Sequence, residues 1–167
     1  ATLILPADVS WGERAVPCPP PARSVAQVAD AAVVQAIADV VRSGKKVALL
    51  LGGQALREPA LVAAACIAAH SGVQLLAEVF PTRMERGAGL PFVERIAYLA
   101  EMAGVQLADI DHLVLVDAKA PVSFFAYPGK KSELVPQGCT VHTLATPAQD
   151  AAASLALLAA AVGAAQT

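Results

Sequence analysis

Short apolar runs and alanine-rich segments with helical spacing alternate along this chain, and that alternation restricts the fold more than any other feature. Lys46–Leu51 (K-V-A-L-L-L) is continuous and apolar, too short for a buried helix and typical of a strand covered on both faces. Val73–Ala77, His112–Val116 and Cys139–Leu144 read in the same way. Between them the spacing predicts helices: Ser24 to Ser43, with Gly44 at its end; Glu58 to Ser71, closed by Gly72; Phe92 to Ala103, stopped by Gly104; and Pro147 to Ala161. Strand and helix alternating with short connections specify an α/β fold of the doubly wound kind, a parallel sheet with helices on both faces. Alanine supplies most of a 56% hydrophobic content, and only seven of 167 residues are aromatic, which suits small helices packed closely on a sheet.

The ends read differently. Thr2–Leu5 is expected as a short strand with no partner nearby in sequence. Residues 11–23 contain Pro17, Pro19, Pro20 and Pro21, which forbid helix and suggest an extended linker. The start lacks Met and a basic leader, so the chain is expected to begin inside a longer protein. Residues 118–138 form a long connection that carries X-Pro turns and several aromatic residues, a segment expected to pack against a partner domain or subunit.

Charge and composition exclude several functions. A net charge of -2 without a basic face argues against nucleic-acid binding, and no apolar run reaches the roughly 18 residues of a membrane span. Cys18, Cys66 and Cys139 show no ligand spacing and read as packing residues in a reducing, cytoplasmic compartment.

Few residues offer chemistry. Gly52-Gly53-Gln54 follows a buried strand and precedes a helix, where a phosphate can meet helix N–H groups. The segment is neither G-x-G-x-x-G nor a G-K-[ST] loop, and the plainer reading is a tight turn with close helix–sheet packing. Arg83 and Arg86, expected at the carboxyl edge of the sheet, either clamp a diphosphate or pair with Glu78 and Glu85. His70, His112 and His142 are read as isolated structural residues. Asp109 and Asp111 precede a strand that Asp117 follows, so the three are read as solvated turn residues at opposite sheet edges. No nucleophile with its base can be named, and Ser123 lacks a G-x-S-x-G setting.

Three segments carry a resemblance to a known family. Leu3–Trp11 (L-I-L-P-A-D-V-S-W), Val47–Glu58 (V-A-L-L-L-G-G-Q-A-L-R-E) and Leu113–Lys130 (L-V-L-V-D-A-K-A-P-V-S-F-F-A-Y-P-G-K) resemble, in order and spacing, parts of the thiamine-diphosphate enzymes related to acetolactate synthase, pyruvate oxidase and benzoylformate decarboxylase. The acetolactate-synthase-like branch is the most similar. The resemblance implies a three-domain parent of which this is the central domain, with a Rossmann-like, three-layer α/β/α sandwich and a parallel sheet of about six strands. Residues 1–10 would be a remnant of the pyrimidine-binding domain, 11–23 the linker, 24–146 the central domain, and 147–167 the helix leading toward the diphosphate-binding domain.

In that family a first-domain glutamate activates the cofactor, and a third-domain G-D-G…N motif holds Mg²⁺ and the diphosphate. This chain has no G-D-G and no Asn at all. The fragment alone is therefore expected to bind no thiamine diphosphate and to catalyse nothing, while the parent acts on 2-oxo acids as a homo-oligomer, at least a dimer. Flavin-binding relatives carry a G-x-R-F-D-D-R-type segment where this chain has Asp117-Ala118-Lys119-Ala120-Pro121, which argues against FAD. The remaining expectations are a structural domain or one carrying an ADP-like group, and the rival is a free-standing module binding ADP, NAD or FAD through Gly52, Gly53, Gln54, Arg83 and Arg86.

Overall fold

The computed structural model describes residues 2–13, 16–22, 24–126 and 128–164. Ala1, Arg14, Ala15 and Arg23 near the start, Tyr127 of the long connection and residues 165–167 of the tail lie outside them. The elements are α1 (Ala7–Ser10), α2 (Ala31–Val41), β1 (Val47–Leu51), a 3-10 turn (Gly53–Leu56), α3 (Glu58–Ser71), β2 (Gln74–Ala77), β3 (Glu94–Arg95), α4 (Ala100–Leu107), β4 (His112–Val116), β5 (Thr140–Ala145) and α5 (Ala151–Val162).

The strands form one parallel sheet in the order β3-β2-β1-β4-β5. It has five strands rather than about six. β1 is central and buried along its whole length, pairing Leu49 with Leu75 on one side and with Val114 on the other. Its side chains alternate between two cores, as the pleat requires. Val47, Leu49 and Leu51 face a layer built by α2, α3 and α5, whereas Ala48 and Leu50 meet Ala103 and Leu107 of α4 with Ile96 and Ile110. The C-terminal helix α5 belongs to the first layer, burying Leu155 and Leu158 against α2 and α3. Alanine lets these helices approach closely: Ala38, Ala60, Ala64 and Ala159 are all buried between them and the sheet. Gly72 ends α3 in the left-handed conformation, as its position in the sequence predicts.

Three expectations need correction. Thr2–Leu5 is not a strand but exposed chain leading into α1, because a lone strand has no ladder to satisfy its backbone. The first long helix begins at Ala31, not Ser24, since the backbone before it is already engaged. Gln27 bridges to Gln149, its carbonyl accepts the Asp150 N–H at 2.8 Å, and the Ala29 N–H donates to Ser154 Oγ at 3.0 Å. The expected helix Phe92–Ala103 divides into β3 and the later α4, because Glu94 and Arg95 pair with Leu76 and Ala77 and the Ile96 N–H donates to the Ala77 carbonyl. A two-residue strand at the sheet edge has no period of its own to read.

Candidate functional site

In a sheet of this order the chain turns outward in opposite directions from β1 and β4, and the crevice above their carboxyl ends is where such folds place ligands. Gly52 and Gly53 leave β1 there, and Asp117 leaves β4. The Gly52 N–H donates to the Val116 carbonyl at 3.0 Å, drawing the two strand ends together. A β-carbon on Gly52 would strike the Asp117 carbonyl oxygen and sit 3.1 Å from Ala118 Cα. One on Gly53, whose φ is +41°, would strike the Asp117 carboxylate. The glycines are therefore required by the close approach of Asp117.

Asp117 is not a solvated turn residue. It is half-buried, with φ 50°, the one positive φ at a non-glycine position among the described residues. Its N–H donates to the Ala145 carbonyl at 2.8 Å, and its carboxylate accepts the Gln54 N–H at 2.6 Å. Glu78, leaving β2, completes the crevice. Its carboxyl is pushed above the ordinary value by burial; the Gly53 N–H opposes that shift and the Asp117 charge adds to it. The donors that would greet a phosphate at this turn thus face two carboxylates of the chain itself.

The structure brings Gly52, Gly53 and Gln54 together here, but not the arginines. Arg83 Nη2 lies 3.5 Å from Glu85 Oε1, and Arg86 Nη2 lies 3.5 Å from Met84 Sδ. Glu85 in turn accepts the Glu58 N–H at 2.6 Å, capping α3, and lies 3.8 Å from Arg57 Nη1. Arg57, which no motif in the sequence singles out, is more enclosed than Arg83. Asp109 and Asp111 lie at the opposite edge, holding Lys46 through its Nζ at 2.8 Å and its backbone N–H at 2.9 Å.

Beside the crevice, loops from three strands converge. Phe80 follows β2, Tyr98 follows β3, and Phe124 and Phe125 follow β4. Their rings pack edge-on or tilted, with centroids 4.9 to 5.7 Å apart. Phe80, Tyr98 and Phe124 border a hollow of about 400 Å³ that Glu78, Lys119, Val122 and Leu134 also line. The loop bearing Phe124 folds back through an antiparallel bridge between Val122 and Glu133, and Lys130 Nζ ties it to Glu101 of α4 at 2.9 Å.

His112 and His142 are not isolated from each other: Nδ1 of the first and Nε2 of the second lie 3.1 Å apart. Parallel pairing sets His112 opposite Thr140 and Val114 opposite His142, so the two rings share one face across neighbouring strands. That register could not be read from either strand alone. Burial, and then the His112 ring, lower the His142 pKa from its ordinary 6.5. The unfolded chain therefore takes up the proton first. Stability linked to His142 is present above pH 6.5 and is lost as pH falls through its lowered folded value. Urea midpoints measured between pH 7.5 and 5 should fall toward acid, and His142→Gln should flatten that dependence; an unchanged slope would refute the assignment. Among the described residues no group of three His, Cys, Asp or Glu side chains could hold a metal ion, and no helix is long and apolar enough to cross a membrane.

No family model matches the chain. It is 54% identical over 159 residues to a protein of Mycobacterium tuberculosis provisionally named acetolactate synthase large subunit IlvX, a match covering 93% of this chain and 30% of that protein. Its fold is similar, with a TM-score of 0.63 and 21% identity, to the X-ray structure of a provisionally assigned thiamin diphosphate-dependent enzyme isolated from Mycobacterium smegmatis. That alignment covers 90% of this chain and 32% of the enzyme. The chain spans less than a third of the length of either protein.

Proposed function

We propose that the chain, similar over almost its whole length to part of a protein named as an acetolactate synthase large subunit, is the central, scaffolding domain of a longer thiamine-diphosphate enzyme acting on 2-oxo acids. The observation that supports this most is the match of almost the whole chain to under a third of a relative named as an acetolactate synthase large subunit. The chemistry of the described residues supports it as well. The N–H groups at the strand switch point face Asp117 and Glu78. A diphosphate there would meet like charge. In this reading thiamine diphosphate and Mg²⁺ are held by the other domains of the longer protein. The domain holds those parts at a fixed separation on a rigid sheet.

The same acidic lining opposes the nucleotide-binding alternative through Gly52, Gly53 and Gln54, and Arg83 and Arg86 have partners elsewhere. ADP, NAD and FAD should leave the melting temperature unchanged. Thiamine diphosphate with Mg²⁺ should raise that of the full-length protein, since a ligand at 100 times its Kd stabilises by about 2.7 kcal/mol. Full-length protein should consume pyruvate or another 2-oxo acid only with both added, and this segment alone should consume none. Turnover by the segment alone, or a full-length protein indifferent to thiamine diphosphate, would overturn the reading.

A further inference from the structure

We propose that the aromatic cluster at the carboxyl edge (Phe80, Tyr98, Phe124 and Phe125) is the docking face on which another domain of the same longer polypeptide rests. The inference builds on the reading of the chain as one domain of a larger enzyme and adds where the contact lies. Phe80 is 59% exposed, Tyr98 44%, Phe124 60% and Phe125 42%. Four aromatic rings gathered from three separate loops and left this open form a contiguous apolar patch of the kind that marks an interaction surface. In a chain with only seven aromatic residues, such a concentration at one sheet edge is a costly exposure unless something covers it.

The occupant follows from three observations. More than two thirds of the relative named acetolactate synthase large subunit lies outside the matched segment, so ample polypeptide exists to cover the patch. The chain before the core arrives at this same edge, where the Gln27 carbonyl and the Ala29 N–H are fixed to Asp150 and Ser154 at the start of α5. The polypeptide preceding the core therefore enters at the carboxyl side of the sheet, where the cluster lies. The rings also pack on one another instead of parting, with centroids as close as 4.9 Å, which suits a broad apolar surface better than a planar small molecule. Glu78 and Lys119 at the border would lie in the polar rim.

Hydroxyl-radical footprinting of the full-length protein, read by mass spectrometry ring by ring, tests this. Phe92, 82% exposed and outside the cluster, serves as the internal standard because its intrinsic reactivity equals that of the other phenylalanines. An uncovered cluster would leave Phe80 and Phe124 reacting at rates close to that of Phe92. The proposal expects a severalfold lower rate at both, independent of protein concentration and of added cofactor. A double substitution Phe80→Ser and Phe124→Ser in the full-length protein should restore labelling at Tyr98, whereas a control Phe92→Ser should not. Rates at Phe80 and Phe124 comparable with Phe92 would overturn the proposal. So would protection that appears only as concentration rises, which would assign the face to a second copy, or only when a small ligand is added. A protein that shows the protection yet ignores thiamine diphosphate loses the functional reading alone; one that turns over 2-oxo acids with freely labelled rings loses only this inference.

Discussion

Gly52→Ala is expected to destabilise the fold by about 3 kcal/mol, near the upper end for adding one methyl group to a closely packed site. The added carbon would strike the carbonyl oxygen of Asp117 and crowd Ala118 Cα. Neither neighbour is a flexible side-chain end that could swing aside. The Asp117 backbone is fixed by its N–H bond to Ala145, and the Gly52 N–H is fixed to Val116, so relief would require the carboxyl ends of β1 and β4 to separate. Gly53→Ala should cost less, about 1–2 kcal/mol, although its φ is positive, because the opposing group there is the Asp117 carboxylate, which can rotate. Urea unfolding measures both: the midpoint should fall further for Gly52→Ala, with the slope unchanged. Equal midpoints for wild type and Gly52→Ala would show that the two strand ends are not in the contact described.

Leu49→Ala should cost about 4 kcal/mol and Leu50→Ala about 3 kcal/mol, within the usual range for truncating a buried leucine. Both side chains are buried on the central strand, but on opposite faces. Leu49 lies beneath the layer of α2, α3 and α5, where regular helices hold their spacing and cannot collapse into the space left behind. Leu50 lies beneath α4 together with loop residues such as Leu134 and Val135, which have more freedom to close on a cavity. Chemical denaturation of the two variants under identical conditions checks the ranking. A larger loss at Leu50 would mean that the α4 face, not the three-helix face, is the stiffer half of the core.

Much of this fold is legible in the chain. Lys46–Leu51 and His112–Val116 announce strands because an unbroken apolar run of that length is satisfied only between two covering layers, and both became central strands, β1 and β4. Gly72 marks the end of α3 because it alone adopts the left-handed cap without a β-carbon penalty. The elements that escaped have their cause outside their own residues. Glu94 and Arg95 form a strand because Leu76 and Ala77 present an open edge to them. Ser24–Asp30 is not helical because Gln27 is claimed by the segment after β5, more than a hundred residues later in the chain.

The candidate site divides along the same line. The turn Gly52-Gly53-Gln54 could be located from the sequence, since two glycines after a buried strand are a local signal. Its filling by Asp117 and Glu78 could not, because those residues leave β4 and β2 and meet the turn only when the strands lie side by side. The His112–His142 contact likewise depends on the register between β4 and β5. By itself the sequence determined the alternation of buried strands and alanine-packed helices, and hence a parallel sheet with two covered faces. Tertiary structure alone decided which loops meet at its carboxyl edge, because strand order and register are set by long-range pairing, and that pairing placed carboxylates where a phosphate could have bound and grouped aromatic rings beside them.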